Sequence, residues 1–87
     1  MSPAEQDALG EIRRIFAVEL GVARTVDPEL DLRADLQLDS LGLLTLVVGL
    51  EDRFRVALRE EDADGVRTVC DLARLVAVRI SEAGRGS

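Results

Sequence analysis

Histidine, lysine, tryptophan and tyrosine are all missing from this 87-residue chain, and two Phe are its only aromatics. Without His there is no ordinary general base and no imidazole metal ligand, and without Lys no Schiff-base nucleophile. The shortage of aromatic faces removes the stacking platforms on which bases or sugars bind. The single cysteine, Cys70, can form neither an internal disulfide nor a Cys-rich zinc site, which suits a reducing compartment. The length fits one hydrophobic core and excludes a two-domain enzyme. Long apolar runs are missing too. The first twenty residues carry Glu5, Asp7, Glu11, Arg13, Arg14 and Glu19, unlike a signal peptide, and no segment approaches a membrane span. The expectation is a cytoplasmic monomer with no membrane partner.

What is present is acidic and apolar. The chain is 47% hydrophobic and 32% charged with net charge −6, and arginine supplies all 11 positive charges. That balance argues against nucleic acid, whose phosphates need Lys and Arg, and for a partner with a basic docking surface. Ser2-Pro3-Ala4-Glu5 carries a cap, a first-turn Pro and a capping-box Glu, so a helix is predicted from Pro3 to about Leu20. Leu9, Ile12, Ile15, Phe16 and Leu20 form its apolar stripe, and Gly21 is its stop. A long connection follows to Asp39, acidic at 27, 29, 31, 35 and 39 but threaded with Leu30, Leu32, Leu36 and Leu38. Structureless loops beyond about 12–15 residues are uncommon in compact domains and tend to be functional or disordered, and the leucines predict that this one is pinned to the core.

A second helix is predicted from the Asp39-Ser40 pair to Phe54. Leu43, Val47, Leu50 and Phe54 form its expected core stripe, and Leu41, Leu44 and Val48 a second apolar line. Burial of both lines between neighbouring helices is the favoured reading, and a docking strip is the alternative. The polar connector after Arg55 holds Glu60-Glu61-Asp62-Ala63-Asp64, read as a short helical turn ending near Gly65. The last helix starts at a capping box, Thr68-Val69-Cys70-Asp71, and turns Val69, Leu72, Leu75, Val76 and Ile80 inward. The expectation is an all-α domain over residues 1–83, a small four-helix bundle of three main helices plus one short one, with a flexible tail at 84–87.

Most chemistry can be set aside. Asp27-Pro28-Glu29-Leu30-Asp31 opens like a calcium loop, but Leu32 stands where the turn needs Gly and Leu38 where a bidentate Glu is needed, leaving a solvated acidic loop as the reading. Cys70 has no His to activate it and reads as a small buried hydrophobe. Ser40 remains, at the start of the most hydrophobic helix. A bare Asp-Ser pair would be only a helix cap.

The wider context is more specific. Asp35-Leu36-Gln37-Leu38-Asp39-Ser40-Leu41, with Leu50-Glu51-Asp52-Arg53-Phe54 further on, resembles the acyl carrier protein signature, and the order of helices and acidic segments follows the family over nearly the whole chain. The resemblance implies that Ser40 bears a 4′-phosphopantetheine arm donated from coenzyme A by a separate phosphopantetheinyl transferase, and that the chain is a discrete carrier without catalysis of its own. It implies that Asp39 presents Ser40 and that Leu41 is an apolar contact beside the arm, with partial burial against the preceding loop as the equal alternative. Leu44, Val48, Glu51 and Asp52 are the candidate docking residues for acyl-loading, ketosynthase or acyltransferase-type enzymes.

The departures matter. Gln37 stands where the family commonly has Gly, Leu58-Arg59 where an apolar residue is followed by Pro, and Gly42 and Thr45 where fatty acid carriers bear acidic residues. A polyketide or related specialised-metabolite carrier is therefore favoured. The alternatives are a fatty acid, aminoacyl or peptidyl carrier, a domain cut from a larger synthase, or an acidic adaptor with no prosthetic group. Partial shelter of short acyl chains between the helices is also expected.

Overall fold

The structure is a computed structural model that describes residues 1–85. Its helices are α1 (Pro3–Val18), α2 (Ser40–Phe54), α3 (Glu60–Ala63) and α4 (Val69–Arg85), the all-α arrangement of three long helices and one short one that the periodicity predicts. α1 packs against both α2 and α4. Its Ala8, Ile12, Ile15 and Phe16 are fully buried, facing Leu46 and Leu50 of α2 and Val69, Ala73 and Val76 of α4 in one core. Each large apolar side chain withdrawn from water in this way contributes about 1.5–3 kcal/mol.

The starts of the helices follow the predicted signals. Ser2 Oγ accepts the Glu5 N–H at 3.2 Å, with Pro3 in the first turn. At α4, Thr68 and Asp71 exchange side-chain to backbone hydrogen bonds at 3.1 Å in both directions. α1 stops two residues before the expected Leu20, because the Leu20 and Val22 amides turn back onto Ile15 and Phe16 carbonyls around Gly21, whose φ is +66°. At the other end, Gly84 and Arg85 belong to α4 and not to the expected tail. A single glycine costs a helix about 1 kcal/mol, too little by itself to end one that is packed through Val76 and Ile80. Gly86 and Ser87 lie outside the described residues.

Two inward faces differ from expectation. In α2 the buried residues are Gly42, Leu46 and Leu50, while Leu43, Val47 and Phe54 are half-buried. A Cβ on Gly49 would stand 2.8 Å from Cδ1 of the fully buried Ile15. The two glycines thus turn toward the core, and the run of large side chains lies to one side of the true inward axis. The second apolar line is not buried: Leu41, Leu44 and Val48 are 72%, 58% and 52% exposed. Cys70 is half-buried, not buried, and its amide donates to the Pro28 carbonyl at 2.8 Å.

The long loop is pinned, as its leucines predict. Val26, Leu32 and Leu36 are buried, and a β-bridge joins Asp31 to Thr68, with Leu32 N–H on the Arg67 carbonyl and Val69 N–H on that of Leu30. Its acidic residues are not merely solvated. Asp31 Oδ1 accepts the Arg33 and Ala34 amides at 2.8 Å, and Asp35 Oδ2 accepts that of Asp31 at 2.7 Å, so these carboxylates build the turns.

Hydrogen bonds of this kind hold several carboxyls below the usual range. Asp31 is lowered by the Ala34 and Arg33 amides, Asp71 by those of Thr68 and Arg67, and Glu11 and Asp62 by the Arg14 and Arg79 guanidinium groups. A lowered folded-state value means stability that is fully present above the unfolded value near 4 and lost as pH falls through the folded one. With no His, no histidine titration intervenes between pH 5 and 8. Thermal melts should be flat from pH 7 to about 5 and fall below about 4, less steeply in Asp71→Asn than in the parent. Equal slopes would contradict this account of Asp71.

Candidate functional site

The local chain folds to present Ser40. Asp39, extended at φ −91° and ψ −178°, caps α2: its Oδ1 accepts the Gly42 amide at 2.7 Å and its carbonyl that of Leu43 at 2.8 Å. Such a cap is worth about 1 kcal/mol. Gly42 fits because a Cβ there would come within 2.7 Å of Leu38 Cδ1 and 3.1 Å of the capping oxygen. Ser40 is then the first helical residue and is exposed. Its amide and that of Leu41 precede the intrahelical ladder and sit at the positive end of the helix dipole, and the first turn holds no acidic residue.

The chain arrives at this cap through a left-handed residue. Gln37 has φ +54°, a conformation that costs a side chain other than glycine roughly 1–2 kcal/mol. Gln37 thus sits in a left-handed turn under strain, at a position where the resemblance leads one to expect glycine. At the other end of α2, Arg55 takes φ +57° as the C-cap.

Beside Ser40 a mainly apolar cleft of about 310 Å³ runs between α2, the connector and α4, lined by Ser40, Leu43, Leu44, Val47, Glu51, Leu58, Arg59, Ala63, Val66, Leu72 and Leu75. Two of the four residues expected to form the core stripe of α2, Leu43 and Val47, thus stand in its wall, while Leu50 is in the core as expected. A larger groove of about 610 Å³ lies between the long loop and the segment before α4 and shares Leu43 and Val66 with the cleft, but it does not include Ser40.

The predicted site residues divide by role. Ser40, Asp39 and Leu41 come together at the start of α2, with Leu41 exposed and not buried against the loop. Leu44 and Val48 continue from Leu41 as an exposed strip, with Asp52 exposed one turn further. Glu51 departs from them. It is half-buried, and its Oε2 accepts the Leu58 amide at 2.9 Å, so its carboxylate holds the connector. Gly42, expected on the apolar surface, is instead buried because it packs on Leu38 and the Asp39 cap, and sequence reasoning missed its partner Gly49, seven residues on, and the cleft role of the connector side chains Leu58, Ala63 and Val66. Among the described residues no group of three metal-binding side chains is gathered, and no helix is long and apolar enough to cross a membrane.

The structure thus places an exposed serine on a capped helix start, beside an apolar cleft, in a four-helix domain. Comparison with known proteins gives the class. A family described as "Phosphopantetheine attachment site" matches residues 10–76, and the chain belongs to it. The fold resembles that of the acyl carrier protein from Thermotoga maritima, with a TM-score of 0.81 and 26% identity over 93% of this chain and 95% of that one. It also resembles a putative acyl carrier protein from Mycobacterium tuberculosis, with 36% identity and a TM-score of 0.70 over 86% of this chain and 96% of that one. The protein is thus an acyl carrier that bears 4′-phosphopantetheine and serves partner enzymes without being one.

The residues fit that group. The start of α2 has free amide donors that would suit a phosphodiester, and the apolar walls of the cleft would suit an acyl group. When bound, the arm supplies a terminal thiol on which acyl groups are carried as thioesters.

Relief of the strain at residue 37 should be measurable. Gln37→Gly should raise stability to urea by about 0.5–1 kcal/mol, the left-handed cost less the greater freedom of glycine when unfolded. A variant no more stable than the parent would show that the Gln37 side chain compensates for its backbone.

Proposed function

We propose that Ser40 is the attachment residue and that the protein carries polyketide or related specialised-metabolite intermediates. The observation that carries the first part is the exposure of Ser40 at the capped start of α2. Of the chain's three serines before the C-terminal residue, it alone combines a helix N-terminus with the wall of an apolar cleft. Asp39 holds the turn that projects the hydroxyl. The transferase supplies the catalytic groups, so the absence of His and Lys costs the carrier nothing.

The second part rests on the exposed strip. Leu41, Leu44 and Val48 are exposed along α2, no acidic residue stands on its early turns, where Gly42 is turned inward, and Asp52 is exposed at the far end. Such a surface favours a partner chosen by shape and apolar contact over one that docks arginines onto acidic early turns. The cleft would shelter short acyl chains. A monomer acting in the cytoplasm, where coenzyme A is available, goes with this reading.

Incubation with coenzyme A and a broad-specificity phosphopantetheinyl transferase should add one arm to the intact mass, and Ser40→Ala should add none. An unchanged parent mass with several transferases would favour the adaptor without a prosthetic group. A second measurement addresses the pathway. Once loaded, the protein should be a poor substrate for a fatty acid ketosynthase, by about tenfold or more in kcat/KM against a fatty acid carrier, and Leu44→Ala should weaken transfer to its own partner. Equal service to the fatty acid enzyme would overturn the polyketide assignment.

A further inference from the structure

We propose that Glu51 and the Asp62–Arg79 pair are positioning residues that clasp the connector over the cleft and thereby set how readily it opens. The part that concerns cargo rests on the reading of Ser40 above. The clasps themselves do not.

The wall they would hold has little else to fix it. α3 is one turn long, and Ala63 is the only apolar residue among its Glu60–Ala63. Leu58 and Val66, which flank it, are only half-buried. These three line the cleft opposite Leu43 and Val47, so one wall of the cavity lacks the fully buried anchors that secure α1, α2 and α4.

What the segment has is directed polar contact at both ends. On one side Glu51 Oε2, projecting from α2, accepts the Leu58 amide at 2.9 Å. On the other, Asp62 divides its carboxylate: Oδ1 accepts Arg79 Nη2 of α4 at 2.7 Å, and Oδ2 accepts the Arg59 amide at 3.1 Å. Arg79 is oriented in turn by Glu82 Oε2, 2.7 Å from Nη1. The Asp62 and Arg79 side chains are only 17% and 26% exposed, so solvent screens them less than a surface pair and the short hydrogen bonds are charge-assisted. The nearby Arg59–Glu61 pair, 3.9 Å apart with both side chains more than 70% exposed, belongs to the class that contributes little. The Asp62–Arg79 pair is also the one described ion pair that joins the connector to a long helix. An apolar floor with a polar-fastened wall can open locally without unfolding the core.

The test uses the unmodified chain. Native-state hydrogen exchange should show the Leu58, Ala63 and Val66 amides exchanging about tenfold faster in Arg79→Gln, the loss expected for a charge-assisted hydrogen bond, while Ile12 and Leu46 are unchanged. Arg79→Lys should recover part of the protection. No change in Arg79→Gln, or an equal change at every amide, would overturn the clasp. A second arm uses the protein carrying a hexanoyl-pantetheine arm: the acyl-induced NMR shifts of the Leu43 and Val47 methyls should differ between parent and Arg79→Gln. Identical shifts would overturn the control of cargo. Failure of Ser40 to accept the arm, with faster exchange in the variant, would overturn the attachment reading and leave the clasp standing.

Discussion

The close approach of α2 to α1 governs what the rest of the molecule can present. Gly49 lets the second helix lie against Ile15, and Gly42 lets its first turn close over Leu38 and the Asp39 cap. With those two residues turned inward, Leu46 and Leu50 follow them into the core. The 3.6-residue repeat then leaves no freedom for the others. Leu41, Leu44 and Val48 face solvent, while Leu43 and Val47 face the connector. A larger side chain at either glycine would have to displace Ile15 or Leu38, and in a well-packed interior such insertions typically cost about 1–3 kcal/mol.

The same rotation explains how one helix serves three surfaces. Its inner face belongs to the core, its outer face is an apolar strip, and the third side, which begins at Ser40, is the wall of a cleft. The serine therefore sits at the border between the exposed strip and the cleft. On the proposed reading the strip would meet partners and the cleft would hold cargo, and a helix with one apolar face could supply only one of the two.

Carboxylates do more structural work here than the net charge of −6 suggests. Asp31 and Asp35 shape the long loop, Asp39 and Asp71 cap helices, and Glu51 and Asp62 hold the connector. Those engaged with backbone amides are spent on local geometry. The acidic balance that reads in sequence as a steering field is therefore partly a set of internal fasteners, and Asp52, exposed at the end of the strip, is among those left to act at long range.

The local signals were legible because each is a short-range rule. Ser2-Pro3, Asp39-Ser40 and Thr68-Asp71 announce helix starts through groups at most three residues apart, the stripe of α1 has a clean period, and the Asp39-Ser40-Leu41 context marked the site. The sequence by itself determined the four helices, their order, the pinned loop and the candidate serine. Only the tertiary structure decided which side of α2 faces inward, because the largest residues form the most visible pattern while the closest packing is made by the smallest. It also decided that Leu41, Leu44 and Val48 stay exposed, that Gln37 bears a left-handed turn, and that Glu51 binds the connector instead of extending the exposed strip. Each of these depends on what a distant segment places opposite the residue, and periodicity along one chain carries no record of that.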